Sequence, residues 1–458
     1  MNETRRLEIL GPEAQSHMAG ARADCNAIGG AIVFERPDEL STSELIGRIK
    51  RRMGSSLDLV PRSTKIAVPL PGSRPAHVLV DGPPIDLDAH VQATALDEVV
   101  SRERMAEILM FFMDQPLDLE RPLWRAMVVP RVEGGQGAVA FRFHHFIQDG
   151  VLGIAAGAVL IIDDRPDRAL RKPPPYKPAP PPSEADLEAA HKQIVADRRS
   201  AVRELLSHAA RDPGQALRRV RHIAGTYREQ LGGHRSQLLS RQSNRHALEV
   251  VQLPFTDVKA CQDVLDHHVS VNDVAVTLLV GGLIRMLEPE QRRDQTIRID
   301  VPVTLALQDH GADDFDQRAA AMVLTVPLDE DDPRKLLRVV NEQSRVRKTT
   351  GARDIADLMH ALMLLPAPLF NRASGAMWSS GNLLFSNIPG PQTDLFIVGN
   401  RITSMIGLGN LRGLSSLRVV TLSFEDQVSM GIVYDRSVTA IDKLTGGITE
   451  TLETLRSV

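Results

Sequence analysis

Phe141-Arg142-Phe143-His144-His145-Phe146-Ile147-Gln148-Asp149-Gly150 decides how the rest of the chain is read. Val139, Phe141, Phe143 and His145 alternate with smaller or polar neighbours, which is the period of a strand. Asp149-Gly150 is a turn signal, and the apolar run 151–162 behind it reads as a helix. The expectation is a strand that carries both histidines to its end, where a turn and a helix begin. An imidazole placed there stands at the rim of a sheet, within reach of a substrate. Neutral imidazole is the side chain best matched to accepting a proton near pH 7. The plainer reading of the same pair, two satisfied groups at a strand end, stands beside it.

The chain has 458 residues, more than one core accommodates, so two domains are expected. Hydrophobic residues make up 43% and charged residues 24%, the balance of a soluble globular protein. A net charge of −4 argues against nucleic acid as a partner. Cys25 and Cys261 lie far apart without metal-ligand spacing. They read as reduced thiols, which fits a cytoplasmic compartment; neither a metal nor a bound cofactor is expected. Met1 to Arg6 has no apolar core behind it, and no secretory signal is expected. The apolar runs 274–284 and 362–370 fall short of the ~20 residues of a membrane span. Membrane contact is therefore expected to be peripheral, at the inner face.

Along the chain the reading is a mixed α/β (α+β) alternation. Strands are expected at 28–35, 87–91 and 125–129, with helices behind the cap Ser41-Thr42-Ser43-Glu44 and at 102–114. Gly134-Gly135 turns back into the histidine strand. Lys172 to Pro182 holds seven prolines, an extended linker by composition. Residues 184–245 read as helical and basic, with eleven arginines against three acids from Arg198 to Arg245. That surface is either a solvated face or a site for anionic lipid or cofactor phosphates, with Arg218, Arg219 and Arg221 at its centre. The second half offers strands at 247–254, 297–307, 319–326 and 383–391 and a hairpin at 417–424 and 428–434. Its helices are expected at 257–267, 274–287, 332–348 and 441–455. His267-His268 before Asn272-Asp273 lacks a glycine and precedes a helix, and reads as a surface pair. The domain division expected is 1–171, a crossover 172–245, and 246–458.

Several short motifs lie in order along this frame: Pro122-Leu123-Trp124, His144-His145-x-x-x-Asp149-Gly150, Val271-Asn272-Asp273-Val274, Val301-Pro302-Val303, Ser386-Asn387-Ile388-Pro389-Gly390-Pro391, and Ser423, Gly431 and Asp435. The histidine motif alone resembles that of acyltransferases with the chloramphenicol-acetyltransferase and condensation-domain fold. The whole set resembles the bacterial wax ester synthase/diacylglycerol acyltransferase family. That resemblance implies two chloramphenicol-acetyltransferase-like domains with a tunnel at their interface. It implies acyl-CoA as donor substrate, diacylglycerol or a long-chain fatty alcohol as acceptor, and a membrane or lipid-droplet surface as a workplace.

In the family pattern the second histidine is the base, here His145. It would take the acceptor's hydroxyl proton and return it to the CoA thiolate, a role worth ~10²–10⁴-fold. His144 would orient the loop, Asp149 would fix it through an ion pair, and Gly150 would allow the tight turn. Asn272, Ser386 and Asn387 would line the tunnel or donate to the developing oxyanion, with a helix cap and a turn as their plainer roles. Trp124 is either a core anchor or a substrate contact. The family's arginine after Val-Pro-Val falls here on Ala306, and its Gly-Asn pair on Asp316-Gln317. Asp149 therefore needs another donor, with Arg142, Arg298 and Arg318 as candidates. Two further readings stay open at this point: a carrier-protein-dependent acyltransferase, and a weakly active lipid- or acyl-CoA-binding homologue.

Overall fold

A computed structural model describes residues 7–18, 26–36, 40–60, 62–71, 76–94, 98–147, 150–231, 243, 245–293, 295–304, 319–378, 383–411 and 415–457. The chain opens with β1 (Glu8–Ile9), α1 (Pro12–His17) and β2 (Ala27–Glu35). α2 (Thr42–Gly54) begins where Ser41 accepts the N–H of Glu44 at 3.3 Å. β3 (Lys65–Pro69) and β4 (His77–Asp81) form a hairpin that the sequence reading passed over. The strand expected at 87–91 is instead α3 (Leu87–His90) followed by β5 (Val91–Ala93). The Asp86 carboxylate accepts the N–H groups of Asp88 and Ala89 and so forces one helical turn.

α4 (Arg102–Asp114), β6 (Trp124–Val132) and β7 (Gln136–His144) follow. Gly134 and Gly135, at φ 75° and 69°, make the left-handed turn between the two strands. β7 ends at His144, so one histidine and not two is in the strand. The N–H of Ile147 turns back to the carbonyl of His144 at 3.0 Å, which closes a turn directly after the strand. α5 (Gly150–Ile161) then runs beneath the sheet.

Residues 172–182 are neither helix nor strand, yet they are held in place. The Tyr176 hydroxyl donates to the Gly82 carbonyl at 2.9 Å, and the N–H of Ala179 to Asp81 Oδ2 at 3.0 Å. α6 (Glu184–Arg211) and α7 (Pro213–Leu231) lead to β8 (His246–Pro254) and α8 (Phe255–Ala260). The helix expected over 257–267 stops there because Gln262 and Val269 bond each other and loop out the residues between. Next come α9 (Val271–Met286), α10 (Pro289–Arg292), β9 (Thr296–Thr304), β10 (Ala319–Pro327) and α11 (Pro333–Met363). α11 runs past the expected end at 348, since no proline interrupts it before Pro366. α12 (Ala367–Trp378), β11 (Leu383–Ile388), β12 (Phe396–Ile397), β13 (Asn400–Gly409), β14 (Leu417–Phe424), β15 (Gln427–Asp435) and α13 (Ile441–Arg456) complete the chain.

Two six-stranded sheets result, one in the order β12-β13-β2-β7-β6-β5 and one in the order β10-β9-β11-β14-β15-β8. β1, β4 and β3 form a small third sheet. β13 belongs to the second half of the sequence but pairs with β2, from Ile402 opposite Phe34 to Gly409 opposite Ile28. It also lies against β14 and β15. A Cβ at Gly431 would sit 2.2 Å from the Gly407 carbonyl oxygen, and one at Gly407 would sit 2.3 Å from Val420 Cγ1. The two sheets thus touch backbone to backbone. Asp435, at the end of β15, is buried and fastens the entry to β8. Its carboxylate accepts from Ser243 Oγ at 2.7 Å and from the Ser437 N–H at 2.9 Å. Burial alone would raise its pKa, but the bonds from Ser437 and Ser243 outweigh it and hold the carboxyl down at about 2.

Two stability measurements test this account. Gly431→Ala should destabilise by about 1–3 kcal/mol in thermal or denaturant unfolding, because backbone must move. Gly446→Ala on the exposed side of α13, where a Cβ meets nothing within 4 Å, should instead stabilise by about 0.5–1 kcal/mol. Asp435 is depressed in the folded state, so its contribution is present above the ordinary carboxylate range near pH 4. It is lost as pH falls toward 2. Asp435→Asn should cost about 1–3 kcal/mol at neutral pH and should flatten the acid limb of the stability profile between those values.

Candidate active site

The histidine loop is assembled from both ends. β2 pairs with β7 so that Ala27 lies opposite His144, and the N–H of His145 donates to the Asn26 carbonyl at 2.9 Å. His144 is wholly buried, and its Nδ1 accepts the N–H of Phe146 at 2.9 Å. That bond fixes His144 with its proton on Nε2 and folds it into the turn it was expected to orient. His145 is the more accessible of the pair, at 9% exposed. Its ring stacks on that of His17 at the end of α1, with centroids 4.7 Å apart and planes 21° apart. Phe146 and Ile147 are buried in the core that also takes up Ala156 and Leu160 of α5, Met405 and Leu422.

Cations secure this loop from outside its own sequence. Arg62, left-handed at φ 70°, donates through Nη1 to the Ile147 carbonyl at 3.2 Å. Its Nε and Nη2 reach Glu8 Oε1 at 2.7 and 2.6 Å. Arg52 of α2 binds the far end of α5. It donates to the carbonyls of Leu160 and Ile162 at 3.2 and 2.7 Å and pairs with buried Asp163 at 2.7 Å. Both guanidiniums sit on backbone carbonyls, which a planar fork of donors suits. Arg142, a candidate partner for Asp149, donates to the carbonyls of Met113, Gln115 and Pro116 at the end of α4 and lies 4.8 Å from the Phe112 ring. Arg298 is on β9. Asp149, Arg318, Ala306 and Asp316-Gln317 lie outside the described residues, and Gly150 is the first residue of α5.

The other expected site residues are spread over the second half and the core. Trp124 is completely buried, donating through Nε1 to the Ser63 carbonyl at 2.8 Å. The ring of His90 packs against it, and burial, followed by the charge of Arg125, pulls that imidazole down to about 4. Asn272 is in the first turn of α9, which Ser270 and Asp273 cap reciprocally. Asp273 Oδ2 also receives Asn341 Nδ2 at 3.0 Å, and Asn341 Oδ1 meets the exposed His267 at 2.8 Å. Ser386 and Asn387 stand on β11, where the Thr421 hydroxyl bonds the carbonyl of Ser386 and Oδ1 of Asn387. Cys261 is buried, and desolvation pushes its thiol up to about 11, which leaves no thiolate for nucleophilic chemistry. Sequence reasoning missed His17, Asn26 and Arg62. Each is a lone polar residue whose partner is distant or outside any motif.

Two clefts lie between the halves, on opposite faces of β13. One, of about 640 Å³, has an apolar lining that includes Ala155, Val159, Ile388, Pro389 and Leu422, with Met405 of β13 at its wall and Arg52, Arg168 and Arg171 among its polar groups. The other, of about 620 Å³, is more polar and takes Ser404 and Ile406 of β13 together with Glu249, Glu103 and Arg436. The apolar cleft shares its face of the first sheet with α5 and the histidine-loop core.

Residues 13–275 match the wax ester synthase/diacylglycerol acyltransferase catalytic domain, and residues 317–456 match the WS/DGAT C-terminal domain. The protein named "Probable diacyglycerol O-acyltransferase tgs1" of Mycobacterium tuberculosis (strain ATCC 25618 / H37Rv) is 24% identical over 434 residues, 90% of this chain and 87% of that one. The solved wax ester synthase/diacylglycerol acyltransferase from Marinobacter aquaeolei VT8 superposes with a TM-score of 0.66 at 16% identity, covering 98% of this chain and 99% of that one. The trichothecene 15-O-acetyltransferase from Fusarium sporotrichioides does so with a TM-score of 0.59 at 11% identity, over 100% and 96%. These superpositions show a shared two-sheet fold. With its two matched segments, the chain belongs to the wax ester synthase/diacylglycerol acyltransferase family and is an acyl-CoA-dependent acyltransferase.

Proposed function

We propose that the enzyme transfers a fatty acyl group from acyl-CoA to the free hydroxyl of diacylglycerol or of a long-chain alcohol, with His145 as general base. The observation that carries the assignment is the difference between the two histidines. His144 is wholly buried and its Nδ1 is spent on the turn through its bond to the Phe146 N–H, whereas His145 is 9% exposed and its ring stacks on that of His17. The His145 imidazole takes the hydroxyl proton while the oxygen forms a bond to the thioester carbonyl carbon. The tetrahedral intermediate then collapses, the C–S bond breaks, and the imidazolium gives its proton to the CoA thiolate. The base is regenerated, and no acyl-enzyme is formed. The apolar cleft suits an aliphatic chain, and its arginines suit a polar or anionic head at the rim. Ser386 and Asn387 lead directly into the Ile388–Pro391 segment of its wall, which supports reading them as substrate-side groups.

The helical layer supports work at a lipid surface. On α7, Ile223 and Tyr227 pack inward on Leu358, Leu362 and Phe370. Leu217 and Val220 point outward, more than half exposed, beside exposed Arg218, Arg219 and Arg221. Apolar side chains between cations fit the interface of an anionic bilayer or droplet. Among the described residues no helix is long and apolar enough to cross a membrane.

Thiol release from palmitoyl-CoA should require an added acceptor, tested with dioleoylglycerol, hexadecanol and no acceptor. His145→Ala should lower it about 10²–10⁴-fold while melting as the wild type does. Turnover by that variant within tenfold of wild type would remove the base assignment, and acceptor-independent release would remove the transfer reading. In flotation with phosphatidylserine vesicles, the triple change of Arg218, Arg219 and Arg221 to Gln should release the protein, as should raised salt. Flotation indifferent to both would sink the surface proposal.

A further inference from the structure

His17 is neither part of the histidine motif nor near it in sequence, yet it is the ring that His145 rests on. Its own support is built. Gln15 locks α1 onto β4: its Nε2 donates to the His77 carbonyl at 2.8 Å, and its Oε1 accepts the His77 N–H at 2.9 Å. This leaves the His17 ring, 4% exposed, at a fixed height over the loop. Asn26 then joins the two histidines. Its backbone carbonyl holds the N–H of His145 at 2.9 Å. Its side-chain amide lies 3.0 Å from His17 Nδ1 and 3.2 Å from the His17 carbonyl oxygen.

That last geometry fixes a tautomer. The carbonyl oxygen can only accept, so the amide atom facing it is the NH₂ group and not the oxygen. The same NH₂ faces Nδ1, which must then accept as well. His17 is held as the neutral form with its proton on Nε2, and protonation at Nδ1 would set donor against donor. An uncharged imidazole stacked on His145 does not oppose the positive charge that His145 gains when it takes the acceptor's proton. It also restricts rotation of the His145 ring about its last side-chain torsion, an otherwise broad one.

We infer that His17, pinned by Asn26, is a positioning residue for acyl transfer, acting through the stacked His145 ring. The inference rests on the reading of His145 as the base. A misplacement of about 1 Å at a reacting group can cost ~10²-fold in rate without weakening substrate binding, so the effect belongs in kcat.

The test measures kcat and KM for palmitoyl-CoA at saturating acceptor in the full-length enzyme. His17→Ala should lower kcat about 10–100-fold with KM within about twofold. His17→Phe, which keeps a stacked uncharged ring, should recover kcat to within about threefold of wild type, and Asn26→Ala should lower kcat in the same direction as His17→Ala. Wild-type kcat in both His17→Ala and Asn26→Ala, with His145→Ala inactive, would overturn the inference and leave the base in place. If His17→Ala fails to melt cooperatively, the other two decide. A folded but inactive His17→Phe, or an Asn26→Ala enzyme with wild-type kcat, overturns it. Turnover by His145→Ala within about tenfold of wild type would instead remove the reading on which it stands.

Discussion

The structure depends on one close crossing, where β13 leaves the second half of the chain, joins the first sheet beside β2, and lies across β14 and β15. Gly407 and Gly431 meet there with no room for a Cβ. A side chain at either position would hold the strands apart by more than the contact tolerates. Because successive side chains alternate across a strand, the same crossing separates two spaces. Met405 faces the apolar cleft, while Ser404 and Ile406 face the polar one. The strand that joins the halves is therefore also the wall between their cavities.

The histidine loop inherits its geometry from that arrangement and from donors that reach it across long sequence separations. Arg62 brings its guanidinium to a carbonyl within the motif and Arg52 to carbonyls at the far end of α5, and each carries a carboxylate partner, Glu8 or Asp163. Buried ion pairs of this kind contribute little net stability, since desolvation offsets most of the attraction. Removing one partner, however, leaves an uncompensated charge. Their effect is to make one loop conformation the only well-satisfied one. Asn26 acts in the same way at shorter range, with one residue holding a backbone on one side and an imidazole on the other.

Much of this was legible from residue patterns, and the parts that were not share a cause. The β6–β7 hairpin, the caps at Ser41 and Ser270, and the final hairpin and helix are local, decided within a few residues by alternation and turn chemistry. The short strand expected at 87–91 failed because Asp86 offers its carboxylate to two backbone N–H groups, a local competitor that alternation alone does not reveal. β13 escaped notice because its partners are some 370 positions away in sequence, and nothing in Asn400–Gly409 says which sheet it joins. The motif histidines were found by pattern. His17 and Asn26 were not, because a lone imidazole and a lone amide signal nothing until folding brings them to His145.

The residues that carried the family resemblance divide by physical role. Ser423 accepts the N–H of Gly390 at 3.0 Å, Gly431 makes the close crossing, Asp435 fastens the entry to β8, and Trp124 anchors the core through Ser63. None of the four has a proton to move in the reaction proposed. Each instead fixes a distance: the end of β11 against β14, one sheet against the other, the crossover against β15, β6 against the turn before β3. A base that works without a covalent intermediate must bring two separately bound substrates into line, so its efficiency depends on the placement of whole elements more than on any reactive group. On that argument a signature rich in joints is what base-only acyl transfer requires. Tolerance of change should then be lowest where two backbones meet.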